Sequence, residues 1–123
     1  MIVDAGGAFG SFSLYALRTA ARARVIGIEP FPASYQRMCD VVARNDLSGR
    51  FSPVQATLGA AEDVSFMASG DQPSQFRRIT GEQDGGLAVA TKSLEQVFDE
   101  HGIEQVASRD DGDGYGMAWF KRG

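Results

Sequence analysis

The spacing of apolar and polar positions changes period several times along the chain. Met1-Ile2-Val3 is a short apolar run stopped by Asp4 and a glycine cluster, the pattern of a buried strand ending in a turn. From Ser11 the period is helical, with Phe12, Tyr15 and Thr19 on one side and Leu14, Leu17 and Ala21 on the next. Arg24 to Glu29 is again β-branched and apolar, and Pro30 and Pro32 end it. Tyr35, Met38, Cys39 and Val42 stand at i, i+3, i+4 and i+7, which predicts a second helix closed by Asn45-Asp46 and Gly49. Residues 51–58 read as a third strand, with Val64 to Met67 as its hairpin partner across the turn at 59–63.

Beyond this point the periods weaken. Residues 69–86 carry Gly, Pro, Ser and Gln without a period and predict a long, mobile loop. Val89-Ala90-Thr91 is a short extended piece. Ser93 and Gln96 form a capping-box pair ahead of Leu94, Val97 and Phe98, and Gly102 is a natural helix stop. Residues 103–107 predict a fourth strand running into Arg109-Asp110-Asp111-Gly112-Asp113-Gly114-Tyr115-Gly116. Strand and helix alternating in this way predict an α/β fold with a mostly parallel sheet. Right-handed crossovers then align the carboxyl ends of the strands on one edge, where open α/β sheets bind ligands. Asp4, Glu29 and Asp111 fall at or just past such ends.

Composition narrows the field. The chain has 123 residues, 43% hydrophobic and 23% charged, enough for a single domain over 1–123 with a real core. Its net charge of -4 and the lack of a continuous basic stripe argue against a nucleic-acid partner, since Arg18, Arg22 and Arg24 lie far in sequence from Arg77 and Arg78. Cys39 is the one cysteine, so no internal disulfide forms; the spacing predicts a buried, inert thiol in a reducing compartment. With no apolar run near 18 residues and no leader pattern, a cytoplasmic protein without a membrane partner is expected.

The chemistry starts at Asp4-Ala5-Gly6-Gly7-Ala8-Phe9-Gly10. A glycine loop between a first strand and a first helix brings a ligand to the backbone N–H groups at the positive helix end. The order departs from G-x-G-x-x-G, and Phe9 stands where a pyrophosphate needs room, so a small anion such as an amino-acid carboxylate fits better. Asp4 could hold the ammonium of the same ligand. Glu29 ends the second strand 19 positions after Gly10, placed to accept from both hydroxyls of a ribose. Pro30 and Phe31 offer a wall for a flat base. A carboxylate, a ribose and a base together describe S-adenosylmethionine better than a dinucleotide. The competing structural reading is that the glycines only close a tight turn and Glu29 is solvated.

The stretches Val3 to Ala16 and Val25 to Met38 resemble the FkbM family of S-adenosylmethionine-dependent methyltransferases. Asp4, Gly6, Gly10, Ser13, Glu29, Pro30, Pro32 and Tyr35 stand at matching positions, and an asparagine common in the family's loop is Ala8 here. Residues 91–106 are similar to the family's helix before the fourth strand. In the later acidic motif Asp111, Gly114 and Tyr115 match, whereas Gly112, Asp113 and Gly116 depart. The resemblance implies a Rossmann-like class I methyltransferase fold that methylates a hydroxyl on a sugar or secondary metabolite. It places Asp4, Gly6 and Gly10 along the methionine part of the cofactor, Glu29 on its ribose and Asp111 at the reacting centre. Gly7, Pro30 and Phe31 complete the expected cofactor contacts.

Methyl transfer is an in-line displacement that needs positioning and, for a hydroxyl acceptor, a base, for which Asp111 and Asp113 are candidates. The Asp110 to Gly116 pattern lacks the ligand spacing of a calcium loop, and no metal site is assigned. His101, Tyr115 and Trp119 read as structural. Against the usual seven strands of such enzymes, the C-terminal strands are missing from this reading. A partial domain or fragment is therefore expected, with an open sheet edge that invites a homodimer. A cofactor-binding module without turnover and a nicotinamide-dependent oxidoreductase remain as alternatives.

Overall fold

A computed structural model of the chain describes residues 1–59, 64–68, 77–79, 87–110 and 116–122. The first three strands, β1 (Ile2–Ala5), β2 (Val25–Ile28) and β3 (Phe51–Val54), form a parallel sheet with β2 in the centre. Ile2 pairs with Val25 and Val25 with Phe51, so the three strands start in line at one edge. Helix α1 (Ser11–Thr19) connects β1 to β2, and α2 (Pro32–Arg44) connects β2 to β3.

Strand alternation sorts the core onto two faces. On one face Val25 and Phe51 pack with Leu17 of α1 and Met38 of α2. On the other, Ile26, Ile28 and Val54 pack with Val97 and Phe98 of α3 (Leu94–Glu100) and with Ile103. Full burial of a side chain such as Met38 or Phe51 stabilises by about 1.5–3 kcal/mol relative to leaving it in water. A layer of helix on each face of a parallel sheet is the Rossmann-like arrangement predicted from the sequence.

The sheet admits Met38 and Phe51 because Gly27 has no side chain. A Cβ on Gly27 would lie 2.6 Å from Met38 Sδ and 2.8 Å from Phe51 Cε2. Below the same pair, Gly10 caps α1 at φ 76, and a Cβ there would come within 3.1 Å of Met38 Cγ. Two glycines far apart in sequence thus make one hole for one methionine.

Helix α3 starts as its sequence predicts: Ser93 Oγ accepts from Gln96 N at 3.1 Å, and Gln96 Oε1 accepts from Ser93 N at 3.0 Å. In α1 the buried positions are Ser13, Ala16 and Leu17, while Phe12 and Tyr15 face water. Cys39 is half-buried rather than buried, because Met38 occupies the centre of the α2 face.

The later strands depart from expectation. Residues 51–58 divide into β3 and a two-residue strand β4 (Thr57–Leu58), which pairs in parallel with β7 (Leu87–Lys92). β5 (Val64–Ala68) is not the hairpin partner of β3; it lies antiparallel between β7 and β6 (Arg77–Ile79). The expected 69–86 loop therefore contains a strand, and its remaining residues lie outside the described ones. Among the described residues β8 (Ile103–Asp110) pairs not with the parallel sheet but with β9 (Gly116–Arg122), antiparallel. The local period identifies a strand but not its partner, which is chosen by contacts distant in sequence.

Gly27→Ala is expected to lower unfolding stability by about 1–3 kcal/mol, the usual cost of overpacking a filled core. Urea denaturation followed by Trp119 fluorescence measures it.

Candidate functional site

The turn that leaves β1 folds back over the end of β2. Gly6 N and Gly7 N both donate to Ile28 O, at 2.8 and 3.0 Å. Ala8 N donates to Glu29 Oε2 at 2.9 Å, and Phe31 N donates to Glu29 Oε1 at 2.9 Å. One carboxylate therefore ties the glycine loop to the entry of α2. Glu29 is 8% exposed, so both of these bonds lie in a mostly dry setting and hold the side chain in one place. An ionised carboxylate has about four acceptor sites, so two backbone donors leave capacity for two more.

Asp4 is fixed from the other side of the loop. Ser13, fully buried on α1, donates its hydroxyl to Asp4 Oδ2 at 2.7 Å. That bond sets the Asp4 carboxylate beside the first turn of α1. Helix α1 has no side-chain cap, because its N-cap is Gly10. Its first-turn N–H groups accordingly need a partner from outside the helix.

The glycines of the loop have different tasks. Gly7 and Gly10 are buried, and their Cβ positions are set against Met38, with Asp4 beside Gly7 and Phe51 beside Gly10. Gly6, at φ 78, is exposed and a Cβ there would meet nothing within 4 Å, so among the loop glycines open space lies over Gly6. Ala8 holds φ 46, a left-handed conformation that alanine adopts at a cost and asparagine tolerates better. Its bond to Glu29 holds it there. Phe9 is 38% exposed, with the Arg37 guanidinium 4.8 Å from its ring centroid, so the aromatic ring is engaged by α2.

Asp4, Gly6, Glu29, Pro30 and Phe31 thus meet at the carboxyl edge of β1 and β2, with Pro30 and Phe31 half-buried directly after Glu29. Asp111 and Asp113 lie outside the described residues, as does Tyr115. His101 ends α3, where Nδ1 bonds Val97 O at 2.8 Å. Tyr35 has its phenol pKa raised, first by a hydrogen bond with Cys39 and then by burial, so it stays neutral at physiological pH. Sequence reasoning placed Ser13 only as a family match. Its spacing of three from Gly10, on the buried side of α1, was the available signal.

An acid closing the second strand, a glycine turn after the first and a helix layer on each sheet face define an α/β domain of the Rossmann-like class. The Methyltransferase FkbM domain matches residues 4–107, and the chain belongs to that family. None of the curated proteins matches it. Among the described residues no helix is long and apolar enough to cross a membrane.

Ser13→Ala removes the hydroxyl bonded to Asp4 Oδ2 and leaves a half-buried carboxylate short of that donor. A loss of about 1–3 kcal/mol in unfolding stability is expected, read by urea titration.

Proposed function

We propose that the chain binds S-adenosylmethionine at the Asp4–Gly6–Glu29 edge and transfers its methyl group to a hydroxyl, on a sugar or a secondary metabolite. The observation that carries this reading is the buried Glu29 carboxylate, held by Ala8 N and Phe31 N with acceptor capacity left over. A ribose presents two neighbouring O–H donors, which is the complement of that carboxylate. Pro30 and Phe31 flank it as a wall for adenine. The uncapped start of α1 suits the cofactor's carboxylate, and Asp4, oriented by Ser13, suits its ammonium.

The bound cofactor supplies an electrophilic methyl on a sulfonium. The protein's own residues bind and orient, and a carboxylate at Asp111 or Asp113 takes the proton that the acceptor hydroxyl loses. Cytoplasmic residence and self-association through an open sheet edge belong to the same reading. The second reading, a cofactor-binding module without turnover, is favoured by Gly116, which stands where the family has an acid.

Calorimetry with S-adenosylhomocysteine is expected to show saturable binding, with none for NAD. Glu29→Gln replaces one acceptor oxygen by a donor facing a backbone N–H. It should weaken S-adenosylhomocysteine by about 1–3 kcal/mol; unchanged affinity removes Glu29 from the site. Methyl release from labelled cofactor over a panel of hydroxylated acceptors separates the enzyme from the inactive module.

A further inference from the structure

The opposite edge of the parallel sheet carries a polar cleft. It lies where β2 and β3 begin, against the end of α3, and its polar lining is Arg24, Arg50, Ser52 and His101. Its empty volume is about 310 Å³, solvent mouth included. The residues come from three separate places: the entry to β2, the entry to β3 and the C-cap of α3. Among the described residues no carboxylate lines it, in a chain whose net charge is -4. β2 runs four residues from Val25 to Ile28, so this cleft is separated from Glu29 by about 13 Å along the strand.

The donors are prepared. Arg50 Nε bonds Ala23 O at 3.0 Å, and Nη2 bonds Leu17 O and Ala20 O at 2.9 and 2.7 Å. Those three bonds tie the guanidinium to the carbonyls where α1 ends. They use three of its five N–H groups, and the two on Nη1 have no hydrogen-bond partner among the described residues. His101 Nδ1 is committed to Val97 O, a pure acceptor, so Nδ1 carries the proton and Nε2 is the ring nitrogen left for a ligand. Ser52 is half-buried, with no partner for its hydroxyl among the described residues. Capping α1 accounts for Arg50, but not for Arg24, Ser52 and His101 meeting it without an acid.

We infer that this cleft is an anion site for a tetrahedral oxyanion of phosphate type, either the free ion or the terminal group of a small phosphorylated molecule. Nη1 of Arg50 and the Arg24 guanidinium supply charge-assisted donors and the Ser52 hydroxyl a further donor, while His101 Nε2, the acceptor nitrogen of that tautomer, takes the O–H of a monoprotonated phosphate. The site is independent of methyl transfer, since it uses none of the residues at the Glu29 edge.

The test uses the full chain at constant ionic strength and pH 7, titrated with inorganic phosphate and, in parallel, with glucose 6-phosphate and chloride. The imidazole resonances of His101 and the Nε resonance of Arg50 report binding by NMR. Saturable shifts with phosphate and none with chloride are expected. Arg24→Gln and His101→Gln should each weaken binding at least fivefold while leaving S-adenosylhomocysteine affinity unchanged. Tighter binding of glucose 6-phosphate identifies the phosphorylated molecule as the ligand, and equal or weaker binding identifies the free ion. Non-saturating shifts, equal shifts with chloride, or full affinity in Arg24→Gln would overturn the proposal. Because Arg24 is exposed, its variant is expected to fold.

Discussion

The structure turns on one buried carboxylate accepting two backbone N–H groups. Glu29 draws Ala8 of the first turn and Phe31 of the second into a single network. Without that anion, Ala8 has no partner to hold its left-handed backbone, and the loop has no fixed position over β2. With it, the carboxyl edges of β1 and β2 act as one unit. The charge that organises the loop is also the group suited to a ribose. The structural role and the proposed binding role therefore fall on one side chain, and its spare acceptor capacity is what the second would use.

A similar economy governs the glycines. Gly10 and Gly27 both make room for Met38 and Phe51, so their lack of a side chain serves the core. Gly6 faces open space, and it alone among the loop glycines has the geometry for close approach by a ligand. The N–H groups of Gly6, Gly7 and Ala8 are spent within the protein, which moves the anion-binding capacity of this edge to the uncapped start of α1.

Much of this was legible in the residues. The strand–helix–strand unit, Glu29 at its spacing and the Ser93–Gln96 box all follow from local chemistry, and each is present. The glycines were ambiguous, because the same residue admits a ligand or a neighbouring side chain, and only the position of Met38 separates the two. Strand partners were the least legible. Val64 to Ala68 has a clear extended pattern, yet its pairing with β7 spans the intervening residues 69–86, whose period says nothing of where the chain returns. The antiparallel β8–β9 hairpin escaped for the same reason: residues 103–107 read as a strand, but the pattern carries no direction. The cationic cleft was hidden too, since Arg24, Arg50 and His101 become neighbours only when the three parallel strands start in line.

The most direct measurement is a crystal structure of the chain with S-adenosylhomocysteine. The account predicts both ribose hydroxyls on the Glu29 carboxylate, adenine beside Pro30 and Phe31, and the amino-acid end between Asp4 and the first turn of α1. A nucleoside bound away from Glu29, or a Glu29 still closed by protein donors with no ribose contact, would contradict it.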